Sequence, residues 1–189
     1  MAHNGSLVPV PGRDIMVQGW YQGGVSVFDF TDSSKPFEIA YFDRGPVDAK
    51  HLVVAGHWSA YWYNGNIYGA EMARGIDIFE LKPSPHLTQN ELNAARSVRF
   101  DEFNAQQQPK ISWPAPDLVA RAYLDQLTRT KGLAADRISA VKAALERKDR
   151  AQLTSLAGEL ESAAASATGR DAERLRGLAA ALKGATSGE

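Results

Sequence analysis

One seven-residue pattern occurs twice in this chain. Gly24-Val25-Ser26-Val27-Phe28-Asp29-Phe30 is matched 51 positions further on by Gly75-Ile76-Asp77-Ile78-Phe79-Glu80-Leu81. Each copy reads Gly, β-branched, polar, β-branched, Phe, acidic, apolar. Alternation with a period of two is the signature of a strand. Recurrence at roughly 40–50 residues is the spacing of propeller blades and similar arrays. Both faces of such a strand are largely apolar, which requires burial between stacked sheets. Two copies are too few to close a ring, which needs at least about four blades. The pattern therefore predicts the C-terminal end of a larger repeat protein.

The surroundings of the two copies recur with them. Asp14–Trp20 is a short apolar run, and Tyr21-Gln22-Gly23-Gly24 a tight-turn signal before the first copy. Thr31–Pro36 is a polar turn cluster, and Phe37–Phe42 alternates as a further strand. Ahead of the second copy, Ser59–Tyr63 and Ile67–Ala70 flank Asn64-Gly65. Asn-Gly between aromatic runs predicts a type I′ hairpin, whose two central residues need positive φ. Strand, hairpin, strand, Gly, strand is the order of an antiparallel blade.

With its leading Gly, alternating apolar strand, acidic end and the turn Thr31-Asp32-Ser33-Ser34-Lys35-Pro36, this part resembles the LVIVD-repeat proteins over about residues 3–86. The resemblance implies a β-propeller-like fold in a typically exported or cell-surface bacterial protein, with no established catalytic residues. The chain departs from that pattern in carrying two repeats only.

Composition changes along the chain. All four Trp and all seven Phe fall within residues 1–113, and residues 117–189 hold one aromatic, Tyr123. Aromatic and β-branched residues suit strands; Ala and Leu suit helices. The expected fold class is α+β and multi-domain: a partial propeller of antiparallel blades over 1–86, then a small all-α bundle over 117–189. Between them, 87–116 reads as a capped helix and a Pro-rich linker. Thr88 and Glu91 form a capping box with Leu87 and Leu92 at the staple positions, and Gln106-Gln107-Gln108-Pro109 and Trp113-Pro114-Ala115-Pro116 punctuate the remainder. Four helices are expected after that. Asp117, Asp149 and Asp171 stand at N-cap positions, Lys131-Gly132 at a stop, and Gly184 beyond the last helix. Leu153, Leu156 and Leu160, then Leu175, Leu178 and Leu182, mark buried stripes. Through Tyr123–Leu127, Ala144-Leu145-Glu146 with Asp149, and the Leu-rich closing helices, this tail resembles the FIMAH-type helical module. That resemblance implies a partner-binding or spacing role.

The composition narrows function as well. A formal net charge of −1 gives no basis for nucleic-acid binding. The absence of cysteine excludes disulfides and thiolate chemistry. No run of about 18 apolar residues is present, so no transmembrane segment is expected. Met1–Ser6 lacks the basic and apolar regions of a signal peptide, so an exported protein would carry its signal upstream. No G-x-S-x-G elbow accompanies Ser6 or Ser59, and no phosphate-loop pattern is present.

Three side-chain sets remain as candidates. His3 and His57 stand ahead of the two repeat copies, and with Glu71 they form a candidate divalent-metal site, since neutral imidazole is the commonest metal ligand. Asp14 is a further oxygen donor near them in sequence. Against this, tight metal-motif spacing is missing. Trp58, Tyr61 and Tyr63, with Trp62 and Tyr68 nearby, form a candidate surface for a sugar or peptide, aromatic faces being able to stack on either; packing between blades is the competing explanation. Alternation puts Tyr61 and Tyr63 on one face and Trp62 on the other. Asp29, Asp32, Asp43 and Asp48 lack calcium-loop spacing and read mainly as turn residues.

The expected function is non-enzymatic binding or scaffolding with a protein or extracellular partner and no resident cofactor. The alternative is a metal-dependent propeller enzyme, a hydrolase or lyase, built on the His set. Two blades leave faces and edges uncovered, so residues 1–98 alone are expected to aggregate or oligomerise, and residues 115–189 to give a soluble helical monomer.

Overall fold

The structure, a computed structural model, describes residues 1–107 and 109–187. Gln108 of the linker and residues 188 and 189 lie outside the described residues. The chain is α+β and divides into two compact units. One holds residues 1–87 and 95–112, the other 88–94 and 113 onward. Residues 87–116, read from the sequence as a connector, are thus shared between the units.

The β unit is a mixed seven-stranded sheet. Its strands are β1 (Ala2–Val8), β2 (Ile15–Trp20), β3 (Val25–Asp29), β4 (Phe37–Phe42), β5 (His57–Tyr63), β6 (Asn66–Glu71) and β7 (Gly75–Phe79), in the order β4-β3-β2-β1-β5-β6-β7. Strands β1 to β4 form one antiparallel group and β5 to β7 another. The groups meet where β1 and β5 run parallel, with Asn4 opposite Ser59. The repeated heptad supplies β3 and β7, the third strand of each group. Strand β1 is absent from the sequence expectation because Asn4-Gly5-Ser6 has the composition of a turn. Gly5 is admitted by close approach: a Cβ there would overlap the Val17 carbonyl and lie 3.0 Å from Gln18 Cα. The Asn64-Gly65 hairpin has φ of 48° and 100°, as a type I′ turn demands. In the other turn the positive φ falls on Gln22, at 58°. Its side chain compensates by donating to the Val53 carbonyl at 3.2 Å.

One face of each group is buried against the other. From the first come Ile15, Val17, Val25 and Val27, and from the second Ala60, Trp62 and Ile67, all nearly inaccessible. Phe42 and Phe79 meet with ring centroids 4.7 Å apart. A Cβ on Gly19 would lie 2.8 Å from the His57 carbonyl oxygen, so the small residue sets how closely β2 lies over β5. Fully burying aliphatic side chains of this size is worth about 1.5–3 kcal/mol each.

The acidic residue of the first heptad copy enters this core. Asp29 accepts from Arg13 Nη2 at 2.6 Å and Nε at 3.1 Å, and from the Thr31 backbone at 2.8 Å. Burial pushes its carboxyl up, but the bonds from Thr31 and Arg13 outweigh burial and hold it below its ordinary value. A lowered folded-state value contributes stability above the unfolded carboxylate range and loses it as pH falls through the folded value. The acid limb of β-unit unfolding, below about pH 4, is therefore expected to flatten in Asp29→Asn. Melting temperatures of the two proteins that fall in parallel across that range would contradict this linkage.

In the helical unit, the helices are α1 (Gln89–Ser97), whose first residues belong here, α2 (Pro116–Thr130), α3 (Ala135–Arg147), α4 (Arg150–Ser166) and α5 (Gly169–Ser187). The expected stripes form its core: Leu124, Val141, Leu153, Leu156, Leu175 and Leu178 are buried together. The capping box is present, with Thr88 N–H donating to Glu91 Oε2 at 2.8 Å and Glu91 N–H to Thr88 Oγ1 at 3.2 Å. Asp149 caps α4 by accepting from Gln152 N–H. Lys131 ends α2 in the left-handed conformation. Three expected terminal positions shift. Pro116 occupies the first helical position after Ala115, so Asp117 lies inside the first turn of α2; proline is pre-organised for that place. Helix α5 begins at Gly169, which leaves Asp171 in its first turn, where it pairs with Arg174 at 2.7 Å and accepts from Thr130 Oγ1 at 3.0 Å. Gly184 sits within α5, where a Cβ would lie 3.2 Å from Pro116.

Candidate functional site

Two features of the β unit bear chemistry: a buried imidazole beside a small cavity, and an apolar sheet face. His57 begins β5 and is almost fully buried. It fits because its neighbour on β6 is Gly69, where a Cβ would lie 2.7 Å from the ring. Its Nε2 is 3.1 Å from Asp77 Oδ2. A carboxylate only accepts, so Nε2 carries the proton in this pair. The Arg44 guanidinium bonds the other carboxylate oxygen and lies 5.4 Å from the Phe42 ring centroid. Phe42 and Phe79 flank the imidazole. His57 Nδ1 is buried without a protein partner. A cavity of about 110 Å³ adjoins, lined by His57, Glu71, Arg74 and the loop from Asp43 to Gly56. An imidazole oriented by a carboxylate can exchange a proton at its free nitrogen. Neither serine near it in the sheet is placed as a nucleophile: Ser59 lies on the opposite face of β5, and Ser6 Oγ accepts from Trp62 N–H at 2.8 Å.

The proposed metal ligands His3, His57 and Glu71 are engaged separately. His57 and Glu71 are cross-strand partners. Both Glu71 oxygens are held by backbone, Oε1 by Gly56 N–H at 2.8 Å and Oε2 by Ala73 N–H at 3.1 Å. His3 lies at the equivalent of Trp58 and not of His57, because the β1–β2 loop is four residues longer than the Asn64-Gly65 turn (Pro9–Asp14, six residues, against two). Its Nδ1 is 2.6 Å from the Trp58 carbonyl oxygen, and its ring stacks on Tyr21 at 4.6 Å. Among the described residues no group of three or more His, Asp or Glu is arranged to hold a metal ion. The Asp set is dispersed in turns: Asp32 accepts from Ser34, Asp43 from Gly45, and Asp48 from Lys50 and His51. Asp77 and Arg44, which orient His57, carry no sequence signal, since neither stands at a motif spacing from it.

The aromatic candidates divide between two places. Trp58 sits at a β-bulge, 50% exposed, and packs with His3 at 4.7 Å and Tyr21 at 5.6 Å. Tyr61 and Tyr63 lie on the opposite face of β5 from Trp62, as alternation predicts. There they join Tyr68 of β6 and Ile76 and Ile78 of β7 on one sheet face. Tyr63 is tied down, its hydroxyl donating to the Phe100 carbonyl at 3.0 Å.

That face has an internal counterpart. Tyr68, Ile76 and Ile78 correspond at the heptad offset to Val17, Val25 and Val27, and Tyr61 corresponds to Ser6 across the β1–β5 pairing. In the first group these positions are closed against the second, with Val25 5% and Val27 2% exposed; Ile76 and Ile78 are 75% and 64% exposed. The first group also has a fourth strand beside its heptad strand, whereas β7 is the sheet edge. No protein-family profile, curated protein or solved structure matches the chain.

Proposed function

We propose that residues 1–86 are two adjacent blades of an LVIVD-type β-propeller, and that the protein is a non-enzymatic binding or scaffolding protein of the exported or cell-surface type. The observation that carries this reading is the unequal burial of one motif. Val25 and Val27 are buried, and their counterparts Ile76 and Ile78 are open. An apolar face of this kind on a folded unit marks an interaction surface. The parallel meeting of β1 and β5, each the first strand of its group, supports the blade assignment. The helical unit serves, on its FIMAH-like pattern, as a partner-binding or spacing module.

Hydrogen exchange on the monomeric full chain tests the blade assignment. Backbone amides of β3 are expected to exchange only on global unfolding, and those of β7 to exchange locally and much faster. Equal rates in the two strands would remove its basis. The free Nδ1 of His57 favours the second reading, a metal-dependent enzyme, to a lesser degree. Elemental analysis separates the two. Stoichiometric zinc, iron or manganese that is lost in His57→Gln would replace binding by metal chemistry.

A further inference from the structure

The same repeat arithmetic identifies what covers the open face. Within the chain, Trp62, Ile67 and Phe79 share one face of the second blade, and this face meets the Val17, Val25 and Val27 face of the first where Phe79 packs on Phe42, the cross-strand partner of Val25. At the same offsets, the first blade carries Leu7, Met16 and Phe28 on its outward face, opposite to the one buried in the chain. That outward face is available: Leu7 is half exposed, and Tyr41, which shares the face as the partner of Ser26, is largely exposed. One chain therefore holds both halves of the stacking contact it makes internally, an open Ile76/Ile78 face at one end and, at the other, the row Leu7, Met16 and Phe28, bordered by the Ser26–Glu38 hydrogen bond. We infer that a second copy of this chain docks its first blade onto the Ile76/Ile78 face of the first copy, continuing head to tail the stacking already present within the chain. The inference rests on the blade reading. Such a heterologous contact, unlike a two-fold one, buries a different surface on each copy.

Sedimentation velocity and hydrogen exchange on the full chain, over a concentration series, test it. The mass is expected to rise above that of the monomer with concentration, and β7 amides to gain protection as it does. Ile76→Lys combined with Ile78→Lys is expected to lose assembly entirely, as is Leu7→Lys. All three positions are exposed, so the monomers should melt as the wild type does. Mixed in equal amounts, the two variants should form a dimer and nothing larger, because each retains one competent face. A wild-type chain that remains monomeric at its solubility limit overturns the proposal. So does a Leu7→Lys chain that assembles as wild type, which would mean that two Ile faces meet each other. Slow β3 exchange with no assembly rejects self-docking alone, whereas β3 exchange as fast as that of β7 rejects the blade reading beneath it.

Discussion

Gly24→Ala is expected to unfold the β unit, whereas Gly75→Ala is expected to leave it folded. The two glycines open the two copies of the heptad, yet they are required for different reasons. At Gly24 an added Cβ would overlap the Phe42 carbonyl oxygen and lie 2.6 Å from its carbon and 2.8 Å from Asp43 Cα. All three atoms are backbone, of the last residue of β4 and the one after it, so no side chain can swing away. Relief requires the β3–β4 pairing to part, and with it the closure of Val25 and Val27. A loss above about 4 kcal/mol belongs to such a site, against a total stability of about 5–15 kcal/mol for a typical domain. At Gly75 the Cβ would meet nothing within 4 Å, but φ is +97°. The cost there is local backbone strain of about 1–2 kcal/mol. Near-ultraviolet dichroism and β3 exchange report on the β unit, and similar losses in the two variants would refute the assignment of separate causes.

The second large effect is expected at Glu91. This carboxylate is fully buried and does two things at once. It closes the capping box on Thr88, and it accepts from Arg129 Nη2 at 2.7 Å and Nη1 at 3.2 Å, linking the first turn of α1 to α2. Glu91→Ala keeps the bond from the residue 91 backbone N–H to Thr88 Oγ1 but removes the acceptor of Thr88 N–H, worth about 1 kcal/mol, and leaves a guanidinium without its partner. Removing one member of a buried pair costs about 3–5 kcal/mol. Arg129 is 30% exposed and regains part of its hydration, which lowers the figure. We expect a loss of about 2–4 kcal/mol in the urea unfolding of the helical unit. Glu91→Gln separates the contributions, since the amide can still accept from Thr88 N–H but no longer carries charge. A double-mutant cycle with Arg129→Gln is expected to give a coupling of at least about 1 kcal/mol. A coupling near zero would mean that capping alone accounts for the effect.

Much of the fold is legible in sequence because its signals are local. The heptads became β3 and β7, Asn64-Gly65 became a type I′ turn, and Thr88 with Glu91 formed the capping box. The stripes Leu153–Leu160 and Leu175–Leu182 became the helical core. Strand β1 was not legible, because Asn4, Gly5 and Ser6 gain strand geometry only from β2 beside them. The candidate site was legible in composition and not in arrangement. Tyr61 and Tyr63 could be placed on one face by alternation alone. The partners of His57 could not, since Asp77 reaches it across the sheet and Arg44 comes from the loop after β4.

The recurrence of one strand pattern, read from sequence alone, determined that the chain contains two like units of sheet and which residues alternate within them. Alternation fixes the two faces of a strand, because the side-chain period is a property of the backbone. It does not fix which face is covered. Val25 and Ile76 are interchangeable in pattern, yet one is 5% exposed and the other 75%. Burial depends on what lies above a face, and only the folding of one strand group against the other decides that.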